Sequence, residues 1–124
     1  MVPRILVVSS DRALAELVAG VLADDGHAVL RADAGPPTLD ALRREGYDLL
    51  VTDDLAARLD DVLLLRFLRD YPGLALPIIL LAPLRPIPLP PNTTFLATPF
   101  DIDALSALVA DLLAKARAGY WSAR

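Results

Sequence analysis

Tyr47-Asp48-Leu49-Leu50-Val51-Thr52-Asp53 has polar ends and an unbroken apolar middle. A strand with one wet face alternates apolar and polar residues, whereas a strand buried on both faces reads as a continuous Val/Ile/Leu run. Asp48 to Thr52 therefore predicts an interior strand that delivers Asp53 to its carboxyl end. Upstream, Ile5-Leu6-Val7-Val8 has the same character, and so does Pro77-Ile78-Ile79-Leu80-Leu81 downstream. Two weaker stretches, Ala28 to Ala32 and Thr94 to Ala97, complete a set of five, the former at an edge.

Helical spacing fills the intervals. Leu14, Leu17, Val18, Val21 and Leu22 recur on one stripe after Ser9-Ser10-Asp11, any of which caps a helix, and Gly26 stops it. Gly35-Pro36-Pro37 reads as a turn, after which Thr38 opens a short helix with Leu39 and Leu42 inward, ended at Gly46. Asp60 or Asp61 opens a third helix with Val62, Leu65 and Leu68 on one face, broken at Pro72-Gly73. Asp101 caps a last one, in which Leu105, Leu108, Val109, Leu112 and Leu113 recur. Apolar strands alternating with helices predict an α/β fold, a flavodoxin-like doubly wound five-stranded parallel sheet of order 2-1-3-4-5.

The interval from Ala82 to Thr93 is the exception, because it holds Pro83, Pro86, Pro88, Pro90 and Pro91. Proline lacks the amide hydrogen and clashes with the preceding turn, so the fourth helix is expected to be replaced or shortened. At ~3.1 Å per residue in polyproline II, this segment is long enough to cross the sheet without one. It reads as a rigid crossover, with docking into an aromatic groove as the alternative. Residues 1–117 read as one domain and 118–124 as a tail, where Tyr120 and Trp121 pack against this domain or a partner.

Composition excludes several function classes. The chain has 124 residues, 55% hydrophobic and 23% charged, enough apolar material for one real core. It has no cysteine, which removes disulfides, thiolate metal sites and a cysteine nucleophile. His27 is the only histidine and reads as structural, so a histidine-rich metal site is absent too. A net charge of −4 argues against nucleic acid as a partner. No apolar run reaches the ~20 residues of a membrane span, and no signal-peptide pattern precedes the first strand. A cytoplasmic protein is expected.

In such sheets ligands bind beyond the carboxyl ends of the strands. That directs attention to Ser9, Ser10, Asp53 to Leu55, Ala82, Pro83, Thr98 and Pro99. Here the chain resembles the CheY-like receiver domain of bacterial two-component response regulators. The resemblance runs from Ile5 to about Leu113 and rests on five motifs in order. They are Ile5-Leu6-Val7-Val8, Gly26-His27-Ala28-Val29, Tyr47 to Asp53, Pro77 to Leu81, and Phe95-Leu96-Ala97-Thr98-Pro99-Phe100-Asp101.

The resemblance implies an aspartate phospho-acceptor at Asp53 and a switch aromatic at Phe95. It also implies an acidic pair that helps hold Mg²⁺, where this chain has Ser9 and Ser10. A hydroxyl is expected after the fourth strand and a lysine after the fifth; Ala82 and Thr98 stand there. Asp54 and Asp11 add negative charge nearby, and the proline and Asp-Gly of the family's next loop are replaced by Ala57 and Asp60-Asp61.

Phosphoryl transfer is catalysed by positioning and by neutralising charge on the oxygens, and removing one such partner typically costs ~10²–10³ in rate. The expected function is therefore that of a degenerate or pseudo-receiver, a phosphorylation-independent protein-interaction module that is no enzyme and needs no cofactor. Its partners would be a histidine kinase or downstream effector, with homodimerisation open. The alternative is a working phospho-acceptor, with Asp11 and Asp53 forming a reduced Mg²⁺ site. Ser9 and Ser10 read most simply as helix caps, since no second histidine or nearby lysine could activate a serine. A small-molecule binder ranks last, because Ser9-Ser10-Asp11 has no phosphate-cradling glycine.

Overall fold

The structure is a computed structural model that describes residues 2–9, 11–32, 46–53, 76–85 and 92–117. Five strands, β1 (Arg4–Val8), β2 (Ala28–Ala32), β3 (Leu49–Asp53), β4 (Ile78–Ala82) and β5 (Thr93–Ala97), form one sheet. All pairings are parallel, in the order β2-β1-β3-β4-β5. Two helices are described, α1 (Arg12–Asp24) and α2 (Ile102–Arg117). The helices expected near Thr38 and Asp61, the prolines at 86–91 and the tail at 118–124 lie outside the described residues.

The central strands are buried on both faces, as their unbroken apolar runs require. Every residue of β3 and β4 is buried, and β1 is buried from Ile5 onward. Ile5, Val7, Leu49, Val51, Ile79 and Leu81 form one face of the sheet and pack against α1 and α2. Leu6, Leu50, Ile78 and Leu80, on the other face, are equally buried. At ~25 cal/mol per Å², each such side chain contributes about 1.5–3 kcal/mol, so this layer is the main source of stability. β2 is the exposed edge: Ala28, Leu30 and Arg31 face solvent.

Four strands start one residue away from the expected position, β1 opening at Arg4 and not at Ile5. Pro77 has no amide hydrogen to enter the ladder, so β4 begins at Ile78, whose N–H donates to the Asn92 carbonyl at 2.9 Å. Asp48 precedes β3, and its carboxylate accepts the Arg4 N–H at 2.8 Å while its own N–H donates to the Arg4 carbonyl. β5 opens at Thr93, after Asn92 at φ 60°. As a result Asp53 and Ala82 are the last residues of strands, not the first residues of loops.

Helix α1 buries Ala15, Val18 and Leu22, with Leu14 and Val21 packed beside them. Leu17, expected on this stripe, is 45% exposed. At ~100° per residue it stands one residue round the helix from Val18, beyond the edge of the buried stripe, and Ala15 takes the inward place. Gly26, with φ +97°, ends the helix. Its N–H reaches the Ala23 carbonyl and the His27 N–H reaches Leu22, the paired bonds that close a helix through a left-handed residue. Helix α2 turns Leu105, Val109, Leu112 and Leu113 inward, and Leu108 packs at their margin. No helix among the described residues is long and apolar enough to cross a membrane.

Candidate functional site

The carboxyl edge of the sheet is assembled by strand order and register. β1 lies beside β3 with Val8 opposite Thr52, so the residues that follow them, Ser9 and Asp53, meet. Asp53 is opposite Leu81 on β4, and Ala82 is opposite Ala97 on β5. The Thr98 N–H donates to the Ala82 carbonyl at 2.9 Å, which ties the ends of these two strands together. The Thr98–Pro99 peptide bond is cis.

Ser9 is 8% and Asp53 5% exposed, and a buried polar group of either kind needs a partner. They supply one to each other: the Ser9 hydroxyl donates to Asp53 Oδ2. The Ser9 oxygen also accepts the Asp11 N–H at 3.0 Å, and the Asp11 carbonyl lies 3.2 Å away. One hydroxyl has one proton, and the carboxylate is the stronger acceptor because the bond is charge-assisted. Val7, Leu14, Ala15, Val18, Val51 and Leu81 wall the space beneath the pair, which is too tight for a water molecule. An apolar wall strengthens a satisfied hydrogen bond by lowering the local dielectric.

Ser9 is therefore not a helix cap. That expectation is corrected: the cap is Asp11, whose Oδ1 accepts the Leu14 N–H at 3.1 Å. The charged cap suits the positive end of α1. Ser10, the second position of the implied acidic pair, lies outside the described residues, as do Asp54 and Leu55. At the start of α2, Asp101 caps as expected, with Oδ1 accepting the Asp103 N–H at 3.1 Å.

Of the remaining positions, Phe95 is half-buried on β5, in register with Leu80. Ala82 is buried at the end of β4, and Thr98 is half-buried just past the end of β5. His27 is half-buried, and its Nδ1 is enclosed without a hydrogen-bond partner. The Ser9–Asp53 bond was missed from sequence. It joins residues 44 apart, and only the placement of β1 beside β3 brings them together.

Whether this edge suits Mg²⁺ depends on its donors. Mg²⁺ takes oxygen ligands in near-ideal octahedral geometry and favours carboxylates. Among the described residues the edge offers Asp53, with one oxygen engaged by Ser9, and Asp11, with its carboxylate turned to the helix start. No three acids or histidines cluster among the described residues. Among the described residues both carboxylates already accept hydrogen bonds, Asp53 from Ser9 and Asp11 from Leu14, and so placed they do not fit the ion.

No family model and no curated protein matches the chain. Solved structures do. The receiver domain of the hybrid histidine kinase CckA is 29% identical, with a TM-score of 0.72 and coverage of 89% of this chain and 98% of that one. The signal receiver domain of a signal transduction histidine kinase from Syntrophus aciditrophicus is 25% identical, with a TM-score of 0.79 over 90% of each chain. The receiver domain of a sensor histidine kinase from Pseudomonas aeruginosa PAO1 is 21% identical, with a TM-score of 0.78 over 92% of this chain and 99% of that one. That last structure has a magnesium ion coordinated in its active-site cleft. In fold and strand order, this chain is similar to the CheY-like receiver domains of two-component signal transduction.

Proposed function

We propose that this chain is an atypical receiver, a cytoplasmic protein-interaction module that works without phosphorylation at Asp53 and is not itself a catalyst. The observation that carries this reading is the Ser9 hydroxyl on the Asp53 carboxylate, at the place where an acid would help hold a metal. Two further substitutions support it, Ala82 for the hydroxyl residue and Thr98 for the lysine.

A phosphoryl group would bring about −1.5 to −2 of added charge to this edge. Positioning and charge neutralisation are nearly the whole of catalysis in phosphoryl transfer, so each missing group lowers the rate, by ~10²–10³ for one electrostatic partner. The partners of the module are a histidine kinase or a downstream effector, with a second copy of the chain as a further candidate. Residues 1–117 are the interacting domain, and 118–124 a tail to it.

The test is intact-mass spectrometry after incubation with acetyl phosphate and millimolar Mg²⁺. The expected result is an unchanged mass. A one-phosphoryl increase that disappears in Asp53→Asn overturns the reading and establishes the working phospho-acceptor in its place.

A further inference from the structure

We infer that Ser9 is the residue that makes Asp53 indifferent to divalent cations, an inference that rests on the reading above and deepens it. Ser9 and Asp53 meet because Val8 is opposite Thr52 in the β1–β3 register. Both are more than nine-tenths buried, above a space too tight for water. A carboxylate there requires a positive or hydrogen-bonding partner on its inner side. The Ser9 proton meets that requirement at Oδ2.

A hydrogen bond to Oδ2 draws on the same carboxylate charge that a metal ion would use. To bind a cation at Oδ2, Asp53 must release the Ser9 proton, which would turn to the Asp11 carbonyl 3.2 Å away. The rest of the Ser9 oxygen is not idle either, since it accepts the Asp11 N–H at 3.0 Å. Asp11 Oδ1 already accepts the Leu14 N–H, so a cation reached through that oxygen would cost the helix its cap. A cation would therefore gain one carboxylate and break a charge-assisted bond to reach it.

An aspartate at position 9 would reverse every sign. Two carboxylates would face each other in a nearly dry place, and their repulsion would be relieved by a cation between them. The serine hydroxyl and a divalent ion are thus alternative answers to one electrostatic problem, and the side chain at position 9 selects between them.

The experiment follows the ¹⁵N-labelled full chain through MgCl₂ titrations, with thermal melts in parallel, for the wild type, Ser9→Asp, Ser9→Asn and Ser9→Ala. In the wild type and Ser9→Asn, which keep a neutral donor, the amides of residues 9 and 53 should show no saturable shift at millimolar Mg²⁺, and Tm should not move. Ser9→Ala, which removes the competing proton without adding a ligand, should show a weak saturable shift at residue 53, smaller than that of Ser9→Asp. Ser9→Asp should have a lowered Tm without Mg²⁺, a saturable rise in Tm with it, and saturable shifts at residues 9 and 53.

Saturable binding by the wild type overturns the inference, as does a Ser9→Asp protein whose Tm and spectrum ignore Mg²⁺. A Ser9→Asp protein that stays unfolded at every Mg²⁺ concentration overturns it too, because the ion was to relieve the repulsion. If the wild type stays unphosphorylated while Ser9→Asp ignores Mg²⁺, this inference falls and the interaction-module reading stands. If the wild type accepts a phosphoryl group, that reading falls whatever Ser9→Asp does.

Discussion

The helix-backed layer of the sheet and its carboxyl edge lie within a few residues of each other and obey different rules. In the layer, Ile5, Val51, Ile79, Val18 and Val109 need only be apolar and fill the volume. Many aliphatic combinations satisfy that demand, because dispersion and burial are non-directional. At the edge, Ser9 and Asp53 depend on one proton and one lone pair. A receiver fold can therefore persist while the chemistry at its edge changes, since replacing an acid by a serine at position 9 leaves the packing below it in place.

The largest effect tests the layer. Leu22 is fully buried on α1 within the core. Leu22→Ala should cost about 2–5 kcal/mol, the lost transfer energy plus a cavity, read from the urea midpoint. Because the residue lies near the end of α1, away from its Asp11 cap, the cation response should be unchanged where the variant is folded. A loss below about 1 kcal/mol would show that the layer collapses around the gap, and the contrast with the edge would weaken.

A smaller effect tests the edge. Ser9→Ala removes a buried hydrogen bond to a charged acceptor, a loss of about 1.5–3 kcal/mol. Ser9→Thr keeps the hydroxyl and should recover part of it, unless its added methyl clashes with the tight wall around Val7 and Leu14. Equal stability of Ser9→Ala and the wild type in a urea titration would mean that the bond contributes nothing net.

The same division governs what could be read from the sequence. Unbroken runs such as Leu49-Leu50-Val51 announce interior strands because burial acts on composition, so all five strands were legible to within a residue. Errors arose at the margin of a helical stripe and where a partner lies far away along the chain. Leu17 fits a helical stripe loosely and proves to lie past its margin. Ser9 fits the local grammar of a cap, yet a contact with a residue 44 positions away claims its hydroxyl. That contact required the β1–β3 register, which strand order alone brackets but does not align.

The smallest effect separates two roles for Asp11, the helix cap seen in the structure and the metal ligand of the alternative reading. Its Oδ1 accepts the Leu14 N–H, and the residue is exposed. Asparagine caps about as well as aspartate, whereas alanine at this position typically costs ~1 kcal/mol, within about 0.5–2. Asp11→Ala should therefore lower stability by about that amount in a thermal or urea melt. Asp11→Asn should lose only the charge–dipole share, about 0.3–1 kcal/mol, and less at high salt. Neither change should alter the response to Mg²⁺, because the carboxylate is committed to the start of the helix. If Asp11→Asn instead abolished a cation response present in the wild type, the carboxylate would be a ligand after all. The hydroxyl at Ser9 would then be one partner of a metal site, not its substitute.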